Sequence, residues 1–391
     1  MKKRRKVIYL ITKNTQGRGG HYYSMKTTMN ALKEIIDPVA ITVSKVKSSL
    51  KKKSFKETDY TIYCNGWNLL YVIYILIKYI RKERPVVIHA FDGLALFFAR
   101  IISHTCKIPI LYTKCGGANP NGYYPYAKEI ILYSRENLNF FKSQEKLNNS
   151  TFYYIPNRVT SINSDADRIE IIKKKIHDTK KVLLRIARFG PAYQKSIMQS
   201  IDLVEFLNMQ QIEIQLVIIG IVQDKLVYDE VMSYISKRKY LDIYVFVDDI
   251  ITANASELID CADYVVGTGR SFMEAASKQK ILFTPIEDSE LPMLVTKENF
   301  ESLFITNFSP RNQCSTKEMQ QNKKNIIRLF ESKDYFEEQK KFVKSIYEEY
   351  FNINTTKEEY KKIYSSVVYQ KEENLLDFLE HFVRTSISFA K

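Results

Sequence analysis

The sequence predicts an α/β protein built on two parallel sheets, and three observations predict it. Short apolar, strand-like runs alternate with segments of helical spacing through both halves of the chain. The alternation breaks once, around Pro156-Asn157, where TSINSDAD carries turn and cap residues without an apolar period. Residues 262–285, ADYVVGTGRSFMEAASKQKILFTP, compress a strand, a glycine turn, a helix and a second strand into one short stretch. With 391 residues the chain exceeds the usual size of one domain, so each half can bury a core of its own.

In the first half, residues 6–12 read as a strand, 17–20 as a glycine loop and 22–35 as a helix. Strands at 39–43 and 60–64 precede a helix at 67–82, a continuous apolar strand at 86–90 and a helix at 94–104. Strands at 109–113 and 129–133 follow, with a helix from Arg135. Strands spaced by helices in this way form βαβ units with both sheet faces covered. After the break, strands are expected at 182–186, 214–219, 243–247, 264–266 and 281–284, again with helices between them. Beyond Phe300 the pattern turns helical and charged, through 334–350 and 357–369, and a last helix from Glu373 keeps apolar residues at helical spacing. The expected domains are residues 1–160 and 161–370, with a closing segment over 371–391.

Hydrophobic content of 45% beside charged content of 26% speaks against a disordered or fibrous chain. Lys and Arg number 59 against 44 Asp and Glu, and the formal charge of +15 favours an anionic partner: nucleic acid, an acidic membrane surface or a phosphate-bearing substrate. Much of the excess lies in KKRRK at residues 2–6 and in SKVKSSLKKKSFK at residues 44–56, which reads as solvated loop or as an attachment to an anionic surface. Nucleic acid has no further support, because no zinc spacing, RNP-like strand or base-reading basic helix appears. Five cysteines without a CxxC pair fit a reduced cytosolic interior. The longest apolar run, residues 69–80, contains a lysine and is shorter than the ~20 residues a membrane span needs. The basic N-terminus lacks the apolar length and cleavage site of a signal peptide.

The chemistry is expected at strand ends. Gly267-Thr268-Gly269 form a turn, and Arg270 and Ser271 open a helix whose first turn aims backbone N–H groups at whatever sits above it, which makes a phosphate seat. Glu274, one turn inside, can accept hydrogen bonds from a ribose diol. The plainer reading is a strand-to-helix turn whose glycines relieve backbone strain. Arg188 after the strand VLLRIA and Lys195 near the start of the next helix suit a diphosphate better than a core, with a surface pair as the alternative. Gly220, after IQLVIIG, either lets a base or ribose approach the backbone or simply turns the chain. In the first half, Gly19 and Gly20 sit beyond the first strand, at the carboxyl edge where parallel sheets bind ligands. His89 ends the strand VVIHA on the same rim, with Asp92 after it and TKCGGAN nearby, although a lone histidine there also suits a core. Cys115 has no partner base and reads as a packed small residue.

In this order and spacing the chain resembles the GT-B glycosyltransferases, and most of all the large retaining family numbered four. The resemblance spans nearly the whole chain. It rests on the N-terminal glycine loop, VVIHA, YIPNRV in place of that family's PNGV linker, the Arg188 and Lys195 pair, Gly220, and Gly269 five residues before Glu274. It implies two Rossmann-like domains with parallel sheets facing an interdomain cleft, and a C-terminal helix crossing back to the first domain. It also implies a nucleotide-diphosphate sugar as donor in the second domain and a saccharide or lipid-linked acceptor in the first, as in bacterial capsule, exopolysaccharide or teichoic acid assembly. On that implication Arg188 and Lys195 hold the donor diphosphate, and His89 completes the catalytic set. The backbone of Gly269, Arg270 and Ser271 adds N–H donors, with Gly267 and Thr268 in the same cofactor-binding turn, Glu274 binds the ribose, Gly220 lies beside the nucleoside, and Gly19 and Gly20 let the N-terminal loop close over the phosphates. No metal or other cofactor is implied. The expected location is the cytoplasm, with peripheral attachment to the inner face of the plasma membrane as an option.

Two departures bear on activity. Val266 stands where the family's first glutamate, eight residues before Glu274, contacts the donor sugar, and Cys115-Gly116 replaces a His-Gly pair. They leave open a sugar-nucleotide epimerase or a catalytically weakened binding protein on the same fold.

Overall fold

Nine consecutive residues, Arg5–Lys13, form β1, and the six from Val7 to Thr12 are all buried. A strand flanked on both sides and covered on both faces has no solvent face, so its apolar run does not alternate. The chain, here in a computed structural model, is described over residues 4–13, 20–46, 59–371 and 374–390. Gly19 and the rest of its loop, the basic run beyond Val46, the first three residues and Glu373 lie outside the described residues. Contacts divide the chain into two compact units, Met1–Asn157 with Ile353–Lys391, and Arg158–Asn352.

In the first unit β1 is followed by β2 (Ile36–Ser44), β3 (Asp59–Tyr63), β4 (Val87–Ala90), β5 (Ile110–Lys114), β6 (Glu129–Leu132) and β7 (Thr151–Tyr154). Among the described residues they form a seven-stranded sheet of order β3-β2-β1-β4-β5-β6-β7, in which every pair is parallel. The connecting helices are α1 (Gly20–Leu32), α2 (Leu69–Glu83), α3 (Gly93–Cys106) and α4 (Arg135–Lys142). One sheet face is sealed by α2 and α3 through Val72, Leu76, Leu96 and Phe98, and the other by α1 through Met25 and Met29.

The second unit contains α5 (Ala166–Lys173), β8 (Lys181–Ile186), α6 (Pro191–Met209), β9 (Ile214–Ile219), α7 (Lys225–Ser236), β10 (Ile243–Phe246) and α8 (Asp249–Thr252). It continues with β11 (Tyr264–Val266), α9 (Arg270–Ser277), β12 (Ile281–Thr284), β13 (Met293–Leu294), α10 (Phe300–Phe304), α11 (Thr316–Glu331) and α12 (Lys333–Ile346). The sheet order is β10-β9-β8-β11-β12-β13, parallel throughout except for β12 with β13. The two expected parallel sheets are present.

The chain returns to the first unit at Ile353, well before position 371. Two helices, α13 (Lys357–Ser366) and α14 (Leu375–Ala390), therefore belong with the first sheet. Tyr360, Ile363, Tyr364 and Val367 are buried against β1 and α1, which explains the earlier return. A charged cluster fixes α14: Arg100 Nη1 at 2.7 Å and the Tyr126 N–H at 3.0 Å both donate to Asp377 Oδ2, and Lys146 pairs with Oδ1. Burial works against the charged Asp377, yet Lys146, the Tyr126 N–H and Arg100 together hold its carboxyl below the usual value. On its other side α14 exposes Leu376, Leu379, Val383 and Ile387. No helix among the described residues is long and apolar enough to cross a membrane.

Candidate active site at the switch point of the second sheet

From β8 the chain builds outward to β9 and β10, then crosses to the other side of β8 to place β11. The helices that follow these two neighbouring strands pack on opposite faces, α6 with Ile197 and Ile201 on one and α9 with Phe272 and Met273 on the other. A parallel sheet opens a crevice where its order reverses in this way, beyond the carboxyl ends of the strands. Most of the expected second-domain residues fall there.

Arg188 lies in the short link from β8 to α6 and is half-buried. Gly190 caps α6, Pro191 occupies its first turn with a preset φ, and Lys195 is exposed on the second turn. Gly220 ends β9, and a Cβ there would lie 1.6 Å from the Ala187 carbonyl oxygen. That close strand approach accounts for the glycine without a nucleoside.

At the end of β11, a Cβ on Gly267 would come within 2.7 Å of Phe272 Cα, so the turn can fold back on its helix only with glycine. Gly269 has φ +48° and caps α9. The ring of Phe272 stacks on Phe308 at 3.7 Å between centroids, which seats α9 on the following loop. The N–H groups of the turn are mostly engaged: Gly267 donates to the Phe283 carbonyl at 2.9 Å, and Thr268 to Ser271 Oγ, Gly269 to the Asn307 carbonyl and Ser271 to the Thr268 carbonyl, each at 3.1 Å. These four reach an anion only by exchanging partners. Glu274 is buried and accepts from Arg270 Nε at 2.6 Å. Burial raises its carboxyl, with Arg270 opposing the shift, so a ribose would meet a carboxylate already held by a cation. Val266 is fully buried in the sheet core.

Two residues at this site escaped the sequence. Asn307 backs the Gly269 turn in a left-handed conformation, φ +62°, and its Oδ1 is buried without a hydrogen-bond partner among the described residues. Arg185, inside β8, is fully buried and donates to the Val266 carbonyl at 2.8 Å. A charged residue in a strand gives no periodic signal, and nothing in the sequence marks it. Among the described residues no group of three or more His, Cys, Asp or Glu side chains could hold a metal ion.

In the first unit the reading of His89 as catalytic is corrected. Its ring is fully buried, Nδ1 lies 2.8 Å from the Tyr364 hydroxyl and Nε2 2.7 Å from Thr113 Oγ1, so both nitrogens serve the core. Asp92 caps α3 through the Ala95 N–H and accepts from the Thr12 N–H and hydroxyl. Burial drives the Cys115 thiol far above its usual range, which keeps it inert. Gly20 opens α1, where a Cβ would meet no described residue within 4 Å, so the described packing does not require glycine there.

The buried histidines carry a pH prediction. Burial holds His89 down to about 3, while burial and then the Arg100 charge hold His381 down to about 4. An unfolded histidine protonates near pH 6.5, so the unfolded chain binds more protons below that pH and stability falls. The expected loss between pH 7 and pH 5 is about 2 kcal/mol per histidine. Urea unfolding of the wild type and His89→Gln at the two pH values measures it, and His89→Gln should remove about half of the difference.

No family model matches the chain, and no curated protein matches it in sequence. Solved structures do match it. A glycosyltransferase from Rickettsia africae aligns over 93% of this chain and 98% of its own, with 14% identity and a TM-score of 0.67. HepE of Anabaena, in complex with UDP-glucose, aligns over 93% of this chain and 100% of its own, with 14% identity and a TM-score of 0.65. The fold is GT-B. A Listeria monocytogenes structure that carries the name of a UDP-N-acetylglucosamine 2-epimerase aligns over 94% of this chain and 99% of its own, at 12% identity and a TM-score of 0.55. The GT-B fold therefore accommodates more than one chemistry, and the residues at the switch point have to decide between them.

Proposed function

We propose that the chain is a glycosyltransferase that takes a sugar from a nucleotide-diphosphate donor and passes it, with retention, to a saccharide or lipid-linked acceptor of the bacterial cell surface. One observation carries the proposal: the links after β8 and β11, with Arg188, Lys195 and the Gly267–Ser271 turn, emerge side by side at the switch point. When the glycosidic bond breaks, the diphosphate oxygen gains negative charge and the sugar becomes oxocarbenium-like. Cations and helix dipoles already fixed around that oxygen stabilise it without reorganising. Arg188 and Lys195 supply this charge in a reaction that needs no metal, and Glu274 with Arg270 borders the ribose. The donor's UDP is the first choice because HepE is bound to UDP-glucose in its own structure.

A thermal-shift series with UDP, ADP, GDP and their sugars tests this on the full chain. The matching nucleotide, at about a hundred times its dissociation constant, should raise Tm by about 3 °C or more. No shift with any of them would overturn the reading. Incubating the matching nucleotide sugar without acceptor separates the chemistries, since a transferase leaves or slowly hydrolyses it and an epimerase alters the sugar.

The acceptor side of the proposal is a cytoplasmic membrane face. Along one side of α2 and the turn before it, Trp67, Leu70, Tyr71 and Tyr74 are exposed, Trp67 to 99%, and Lys78, Arg81 and Lys82 continue the same side. An aromatic half followed by a basic half suits the headgroup layer of an anionic bilayer. The opposite side of α2 is buried in the core, so the helix serves both roles. Flotation with phosphatidylglycerol vesicles is expected at low salt and lost at high salt, and Trp67→Ser with Tyr71→Ser should abolish it.

A further inference from the structure

Arg185 sits between Leu184 and Ile186 in β8 and is 0% exposed. Its Nη1 donates to the Val266 carbonyl at 2.8 Å and its Nη2 to Ser196 Oγ at 2.6 Å, and the Ser196 hydroxyl in turn donates a hydrogen bond to the Tyr193 carbonyl at 2.6 Å. Its Nε has no hydrogen-bond partner, and no carboxylate pairs with it among the described residues. Burial lowers its pKa to about 10, which still leaves it charged at neutral pH. An uncompensated buried charge is among the most costly features a core can hold, and well-packed apolar side chains often replace buried ions at no loss. The cost falls at a particular place. Val266 is the last residue before the Gly267 turn, and Ser196 is next to Lys195 on α6, so the guanidinium joins the two segments that border the crevice.

We propose that Arg185 is a positioning residue of the diphosphate seat: it ties the Lys195 end of α6 to the Gly267 turn and sets a fixed positive charge behind both, which an anion in the crevice offsets. This rests on the nucleotide-sugar reading above. A charge in a poorly polarisable interior is little screened, so a diphosphate senses it without contact, whereas a neutral nucleoside does not.

The test is calorimetric titration of the full chain with UDP and with uridine, for wild type, Arg185→Met and Arg185→Lys. Arg185→Met should bind UDP about tenfold more weakly and bind uridine as the wild type does. Arg185→Lys keeps the charge and should restore most of the UDP affinity. Should Arg185→Met fail to fold, Arg185→Gln takes the same measurement, with the same loss expected. Equal UDP affinity in the neutral variants, or a parallel loss of UDP and uridine, overturns the inference and leaves Arg185 a structural residue. A wild type that binds neither UDP, ADP nor GDP instead overturns the nucleotide reading beneath it.

Discussion

Replacing Lys195 or Arg188 by alanine is expected to lower the rate of sugar transfer about a hundredfold, with the fold intact. The argument is one of timing. Arg188 follows the carboxyl end of β8 and Lys195 lies on the second turn of α6, on the side of the sheet where β11 and its turn adjoin β8, and in the proposed reaction the diphosphate departs there. In the ground state the diphosphate's charge is spread over several oxygens, and in the transition state the bridging oxygen gains more. A cation that meets it there stabilises the transition state more than the bound donor, so its loss appears chiefly in kcat. Lys195 is exposed, so its removal leaves the core packing unchanged. Steady-state transfer with the donor that the thermal-shift series selects gives the measurement. Near-wild-type kcat in both variants would remove the proposed role, and a rise in KM alone would reduce the pair to donor binding.

Gly220→Ala should have the largest effect on stability, about 3 kcal/mol or more against the second unit. The added Cβ would stand 1.6 Å from the Ala187 carbonyl oxygen and 2.7 Å from its carbon. Both obstacles are backbone, so no rotamer change relieves them, and the end of β8 or β9 must shift. Since the same Cβ would lie 3.5 Å from the Arg188 nitrogen, the shift should disturb the site as well. Gly20→Ala is the control, because no described residue lies within 4 Å of where its Cβ would be. Urea unfolding should show it unchanged or up to about 1 kcal/mol more stable. Equal behaviour of the two alanine variants would contradict the tight approach at Gly220.

What could be read from the sequence follows from where the signal lies. Strands such as β1 and β9 are continuous apolar runs because both their faces are covered, and residues 214–219 were placed to the residue. The half-buried strand β7, TFYY, and the two-residue β13 after Pro292 have no such run, and neither was expected. Periodicity predicts a helix over residues 357–369, which in the structure ends at Ser366, but not which sheet Tyr360 and Tyr364 meet, so the return to the first unit was placed too late. The places of Arg188, Lys195 and the Gly267–Ser271 turn beyond two neighbouring strands were legible because strand ends, glycines and cations follow one another in order. His89 was misread because its burial depends on Tyr364, which lies 275 residues away. Glu274 was placed one turn inside α9, but its pairing with Arg270, four residues earlier, was not expected, because spacing allows an i,i+4 pair without requiring it. The GT-B resemblance gave the architecture, while Arg185 and Asn307 have no counterpart in the motifs that carried it.

The late return of the chain also orders its biosynthesis. The first seven strands are complete once Tyr154 has been made, yet Tyr9 waits for a hydroxyl partner 355 residues further on, at 2.7 Å in the finished protein. At ribosomal speeds the intervening unit takes roughly 10 to 40 s to emerge. During that interval Tyr9 and Phe91 lack the cover that Tyr360, Ile363, Tyr364 and Val367 give that sheet face in the finished protein.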